Sequence, residues 1–154
     1  MVFIAKTVIG PIAIANSGDM ITHLHLPNVA EMMQADDGPM PDVVKEAFHQ
    51  LQLYLTGKLK KFDLPLQPAG TPFMRHVWTK LRRVPYGTTV SYQQLAIVSG
   101  HPKAMRAVGL ANKRNPIAIF IPCHRVIGAS GKLVGFGGGL PLKQWLLEHE
   151  RQHG

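Results

Sequence analysis

The sequence predicts an α/β (α+β) protein. A small N-terminal α/β domain covers residues 1–70, and a mainly helical C-terminal domain over residues 71–154 carries a winged-helix-like helix-turn-helix. Three observations predict this. Short apolar and alternating runs broken by turn residues fill the first stretch of chain, apolar residues recur at helical spacing in several later segments, and the balance of charge changes near residue 70. A chain of 154 residues is long enough to bury a substantial core.

The elements follow in order. "FIAKTVIGPIAIANSGDMITHLHLP" reads as strands punctuated by Gly-Pro and Ser-Gly turns. A helix is expected at about 41–56, where Val44, Phe48, Leu51 and Leu55 recur at helical spacing, and "FDLPLQPAGTP" then reads as a linker over the surface. Thr71 caps and Pro72 opens a helix running to about Arg83, with Phe73, Val77 and Leu81 on one face. After the turn "VPYGTTV", Ser91 caps a second helix that Gly100 stops, and a third begins near Pro102 in "HPKAMRAVGLANKRN". This pair, with Lys103, Arg106, Lys113 and Arg114 on its second member, has the pattern of a helix-turn-helix; a plain pair of packed helices is the alternative. "IAIFIP" reads as a buried strand delivering Cys123 and His124. A glycine-rich run, "GASGKLVGFGGG", leads to a closing helix, "LPLKQWLLEHE", with Leu142, Trp145, Leu146 and His149 at helical spacing.

The charge is uneven. Residues 1–70 carry five Lys/Arg against seven Asp/Glu, residues 71–154 carry twelve against two, and no acid occurs from Thr71 to Leu147. The formal net charge of +8 thus belongs to the second half, and a one-signed half points to a polyanionic partner. Nucleic acid leads over an anionic membrane surface, because no basic amphipathic helix accompanies the charge. No apolar run approaches the ~20 residues of a membrane span, and "MVFIAKTVIG" lacks a secretory pattern. A soluble, cytoplasmic protein without a membrane partner is expected.

Cys123 is the only cysteine, so an internal disulfide and a cysteine-based zinc site are excluded, and no metal is expected. It is therefore a buried apolar residue, a nucleophile, or incidental. Its flanking residues His124 and Arg125, and the basic half around it, are expected to favour the thiolate. A nucleophile needs a base and an orienter, for which Glu148 and Glu150 are the acids nearest in sequence. On an extended strand Cys123 and His124 would point to opposite faces, so contact between them requires a turn or a bridging water.

"NPIAIFIPCHRVIG", with "SYQQLA" upstream, "RAVGLANKRNP" between and "GGGLPLKQWLLEHE" downstream, resembles the O6-alkylguanine-DNA alkyltransferases in order and spacing over residues 71–150. The first seventy residues match only in general character. The resemblance implies single-turnover DNA repair, in which an alkyl group on guanine O6 moves to the protein's own cysteine; thymine O4 is left open as a further substrate. The partner implied is double-stranded DNA carrying O6-alkylguanine, bound by a monomer without a cofactor. Cys123 would be the acceptor, His124 its base through a water, Glu150 the orienter and Asn115 a brace. Tyr92 would donate to guanine N3. Backbone groups at Cys123 and Val126 would accept from the guanine amine, Phe136 would line the pocket, and the Gly137 N–H would donate to O6. Arg106 would enter the base stack, with Lys103, Met105, Ala107, Gly109, Arg114 and Arg125 completing the DNA surface.

Physically, displacement at an alkyl carbon suits a soft thiolate, and the thioether product has no easy hydrolysis route. Two positions depart from the family pattern: Gly137 stands where serine is frequent and Phe136 where tyrosine is frequent. The loop is accordingly expected to be more mobile and the pocket less polar. Cysteines for the zinc site of some relatives are absent from the first half. Two other classes compete: a module that only binds alkylated DNA, which Cys123 argues against, and a turnover cysteine hydrolase, which the acid-free basic stretch argues against.

Overall fold

The computed structural model describes residues 1–154. Three antiparallel strands, β1 (Val2–Thr7), β2 (Gly10–Ser17) and β3 (Met20–His25), form a sheet in that spatial order. β2 is central, and its Ile12, Ala13, Ile14 and Ala15 are all buried, so both faces of the strand are covered. The Ser17-Gly18 turn needs its glycine, which has φ 57°. A four-residue helix, α1 (Pro27–Ala30), was not expected from the sequence; α2 (Asp42–Leu55) was. The buried stripe of α2 is Val44, Ala47, Leu51, Tyr54 and Leu55, with Phe48 only half-buried beside it.

The expected surface linker lies instead against the sheet. Leu64 is buried, and the chain pairs in parallel with β3, where the Ile21 N–H donates to the Pro65 carbonyl (2.8 Å) and the Gln67 N–H to the Ile21 carbonyl (2.7 Å). An exposed sheet edge has unpaired donors, and a proline-rich segment with free carbonyls fills that need.

The second half contains α3 (Pro72–Leu81), the short strand β4 (Val90–Ser91), α4 (Tyr92–Val98), α5 (Met105–Lys113), the short strand β5 (Val126–Ile127) and α6 (Leu140–Gln152). The α/β (α+β) class expected from the sequence is the observed one. Thr71 caps α3, its hydroxyl accepting from the Met74 N–H (3.1 Å). Ser91 and Gln94 form a reciprocal capping box on α4 (3.0 and 2.8 Å). Buried Trp78 on α3 donates from Nε1 to the Ala111 carbonyl of α5 (2.8 Å), which fixes the helix-turn-helix onto the core. The apolar core is continuous between the halves, from Ile12, Ile14 and Leu51 to Trp78, Val108 and Leu146.

Two expectations are corrected. α5 starts at Met105 rather than near Pro102, because His101–Ala104 closes on itself through the Ala104 N–H and the His101 carbonyl (2.9 Å) and Ala104 is not helical. "IAIFIP" is buried but is not a strand. Ile117 makes only a single bridge to Leu24, Ile119 has φ 72°, and the Ile121 N–H turns back to the Ile117 carbonyl (2.9 Å). A left-handed β-branched residue is strained by about 1–3 kcal/mol and persists only where its surroundings enforce it. Here Asn115 does so: its Nδ2 donates to the Ile121 carbonyl (2.8 Å) and its Oδ1 accepts from the Ile117 N–H (3.0 Å).

Ser91→Ala removes the cap that starts α4 and should lower unfolding free energy by about 1 kcal/mol. The expected result is a lower denaturant midpoint with an unchanged slope; an unaltered midpoint would contradict the role of the capping box.

Candidate active site

The turn made by Asn115 passes Cys123 into a single 3₁₀ turn, Cys123–Arg125, rather than onto a strand. Cys123, His124 and Arg125 are all buried, and the turn ends where Val126 pairs with Val90 in a parallel two-stranded ladder. α5 touches this turn directly: its Asn112 is buried and Nδ2 approaches the Cys123 carbonyl (3.4 Å).

His124 Nε2 donates to Glu150 Oε2 (2.7 Å), which brings the end of α6 to the site. Glu150 is 1 % exposed, and four other groups also donate to its carboxylate. The Tyr54 hydroxyl reaches Oε2 (2.6 Å), Arg125 Nε and Nη2 reach Oε1 and Oε2 (2.9 and 3.0 Å), and the Gly87 N–H reaches Oε1 (3.1 Å). Burial alone would raise the Glu150 pKa, but the His124 and Arg125 bonds outweigh it and hold the carboxyl well below its ordinary range. An ionised carboxylate only accepts, so His124 carries its proton on Nε2. Nδ1 is then the basic nitrogen, buried and without a protein partner. Burial keeps the His124 pKa low despite Glu150, so the ring is a neutral base near neutral pH.

The thiol behaves contrary to the sequence expectation. Burial raises the Cys123 pKa, and the Asn115 amide and the Lys143 ammonium offset this only in part, so the resting group is the thiol and not the thiolate. Lys143 is itself fully buried on α6, with Nζ donating to the carbonyls of Val126 (2.5 Å) and Val134 (2.9 Å). It therefore ties the turn after Cys123 to the glycine-rich loop.

The remaining predicted residues fall in three places. Tyr92, the first residue of α4, donates to the Val134 carbonyl (3.3 Å), and burial together with nearby Cys123 keeps its hydroxyl protonated. A pocket of about 400 Å³ between α4 and α5 is lined by Tyr92, Met105, Arg106, Gly109 and Ala129 among others. Gly109 is where α5 passes Tyr92; a Cβ there would lie 3.5 Å from the ring. Lys103, Met105, Arg106, Ala107 and Arg114 are exposed on and around α5. On the glycine-rich loop, Phe136 is half-buried, Gly137 keeps its N–H free, and the Gly137 carbonyl accepts from Asn28 (2.7 Å). A Cβ at 137 would meet nothing within 4 Å, so glycine there is a matter of composition and not of steric need.

Arg125 is a correction. It was expected on the DNA surface, but it is 6 % exposed, with Nη1 donating to the Val84 carbonyl (2.7 Å) and Nε and Nη2 committed to Glu150. Sequence reasoning also missed Tyr54, Lys143 and Asn112. Their spacing held a signal: Lys143, Leu146 and Glu150 share one face of α6, as Ala47, Leu51 and Tyr54 share one face of α2.

Residues 72–152 match the DNA binding domain of 6-O-methylguanine DNA methyltransferase, and residues 3–68 match its ribonuclease-like domain. The chain belongs to the 6-O-methylguanine DNA methyltransferase family. It is 44% identical over 149 residues to a methylated-DNA–protein-cysteine methyltransferase of Methanosarcina acetivorans, covering 96% of each chain. A Mycobacterium bovis relative with the same description is 48% identical over 144 residues, 93% of this chain and 87% of that one. Among solved structures, Mycobacterium tuberculosis OGT in complex with DNA superposes with a TM-score of 0.88 at 44% identity, covering 98% of this chain and 92% of that one. Similarity to a family that handles methylated DNA accords with the exposed basic face of α5.

Two outcomes follow from the Glu150 cluster. With His124 neutral and Cys123 protonated at rest, the rate of alkylation of Cys123 should hold steady through the ordinary imidazole titration around pH 6.5 and fall only at more acid pH. Tyr54→Phe removes one donor from Oε2, which strengthens that oxygen's hold on the His124 proton. The acid limb of the profile should then move to higher pH, with a stability loss of about 2 kcal/mol. An unmoved acid limb would show Tyr54 to be structural only.

Proposed function

We propose that the protein repairs alkylated DNA by moving an alkyl group from guanine O6 to Cys123, once per molecule, as a monomer and without a cofactor. The observation that carries this reading is the buried thiol in one turn with His124, whose Nε2 is held by ionised Glu150 while Nδ1 is left basic. In the reaction, the Cys123 proton passes to His124 through a bridging water, and the imidazolium is stabilised by Glu150. Sγ forms a bond to the alkyl carbon as the carbon–O6 bond breaks, and the electron pair leaves with the base. Tyr92 donates a proton toward N3, so guanine departs neutral. The proton held by His124 later restores the tyrosine. The products are guanine in DNA and a thioether on the protein.

A base inside a duplex cannot reach a buried sulfur, so the nucleotide must be extruded. Arg106, exposed beside Tyr92 on the wall of the pocket between α4 and α5, is suited to fill the gap in the stack, with Lys103 and Arg114 on phosphates. Asn115 supports the reaction by holding the turn that aims Cys123, and the free Gly137 N–H is a donor for O6. The Val126 carbonyl, assigned to the guanine amine, already accepts from Lys143 and keeps one lone pair for the base.

Intact-protein mass after mixing with O6-methylguanine duplex should show one methyl in place of one proton, located on Cys123, with product equal to protein and never above it. Cys123→Ser should show no transfer and nearly unchanged duplex affinity; repeated turnover would sink the proposal. For Arg106→Ala, transfer should slow by about tenfold or more in duplex and much less in single strands, where no stacking gap forms. Equal loss in both would remove Arg106 from the stack.

A further inference from the structure

The recognition helix accounts for only part of the unpaired positive charge. A second concentration lies in a cleft of about 600 Å³ that shares no lining residue with the pockets along α5. Its rim holds Lys60 and Lys61, from the segment after α2, and Arg82 and Arg83, which follow α3. All four are exposed, none makes an ion pair, and no acidic residue lines the cleft. Its floor is aromatic: Phe62 and Phe120 meet edge to face at 4.8 Å, and Tyr86 lies beside them with Lys60 Nζ 5.8 Å above its ring.

Four uncompensated cations at the rim of one concave surface repel one another, and a solvated face ordinarily mixes both signs. An anion relieves the repulsion, and the aromatic floor restricts which anion. Isolated phosphate would leave the half-buried Phe62 ring uncovered, and an acidic peptide would offer it nothing flat. A strand of unpaired nucleotides supplies both features, phosphates spaced along a backbone and bases with a π-face for each ring. A rigid duplex keeps its bases stacked inside and cannot present them to a concave floor. We infer that this cleft is a second nucleic-acid site that holds a single strand, with phosphates on Lys60, Lys61, Arg82 and Arg83 and a base against Tyr86 and Phe62. Two basic faces with separate linings let one molecule hold a duplex on α5 and an unpaired strand in the cleft.

Fluorescence anisotropy of labelled dT12 and rU12 across a salt series tests this, with three proteins: wild type, a cleft variant (K60A/K61A/R82A/R83A) and a helix variant (K103A/R106A/K113A). Circular dichroism checks that each is folded. The cleft variant should lose about tenfold or more in oligonucleotide affinity, with a salt slope shallower by about 3, as four lost phosphate contacts on a single strand require. Its methyl transfer from a short O6-methylguanine duplex should stay at the wild-type rate, whereas the helix variant should lose transfer and keep oligonucleotide binding. Wild-type-like oligonucleotide binding by the cleft variant overturns the inference, as does loss in the helix variant instead. Loss of duplex binding alone in the cleft variant would make the cleft a duplex surface and also overturn it. Because methyl transfer is read separately, failure of the repair reading and failure of the cleft give different results.

Discussion

A buried carboxylate is expensive to keep ionised, and the structure around Cys123 is arranged to keep one. Removing a carboxylate from water costs several kcal/mol, offset only when its lone pairs are filled. Glu150 receives five donated bonds, from His124, Tyr54, Gly87 and twice from Arg125. These donors come from three separate stretches of chain, at Tyr54, Gly87 and His124–Arg125, and removing any of them leaves part of the buried charge without a partner. The same arrangement determines the chemistry, since an ionised Glu150 decides which His124 nitrogen is the base. Stability and reactivity therefore rest on one group. In such a site, the loss of one partner of a buried pair is more damaging than replacement of the whole cluster by apolar residues.

How much of this the sequence revealed depends on the range of the interactions involved. Thr71 and Ser91 were legible as caps because a cap is a contact over three residues, and the helical spacing on α3 was legible for the same reason. Cys123 with His124 stood out through uniqueness and neighbourhood. "IAIFIP" was misread because a fully buried run looks alike as strand or as turn; what makes it a turn is Asn115, whose amide takes the place of a ladder. Arg125 was misplaced because charge in a basic half suggests the surface, whereas its partner lies 25 positions away on another helix. Tyr54 shows the same limit at longer range, since nothing local links position 54 to position 150. The thiol's protonation was misjudged because neighbouring charges are visible in sequence and burial is not.

The surface divides more simply. α5 is pinned from within by Trp78 and Asn112, so its outward residues form a rigid ridge on the same element that contacts the Cys123 carbonyl. Lys143 plays the matching part on the other side, joining Val126 to the glycine-rich loop that carries Phe136 and Gly137. The reactive turn is thus clamped between a helix that faces outward and the glycine-rich loop. Support from both sides suits a site that must place one sulfur accurately.

The bond between Tyr54 and Glu150 also bears on how the molecule comes into being. A ribosome delivers α2 long before α6, so Tyr54 and the Cys123 turn emerge while the acid that unites them is still unmade. Until α6 docks, the His124 ring has no partner to choose its tautomer, and the sulfur beside it is an ordinary thiol. The base that serves Cys123 is therefore complete only once α6 has been made and has packed against the turn.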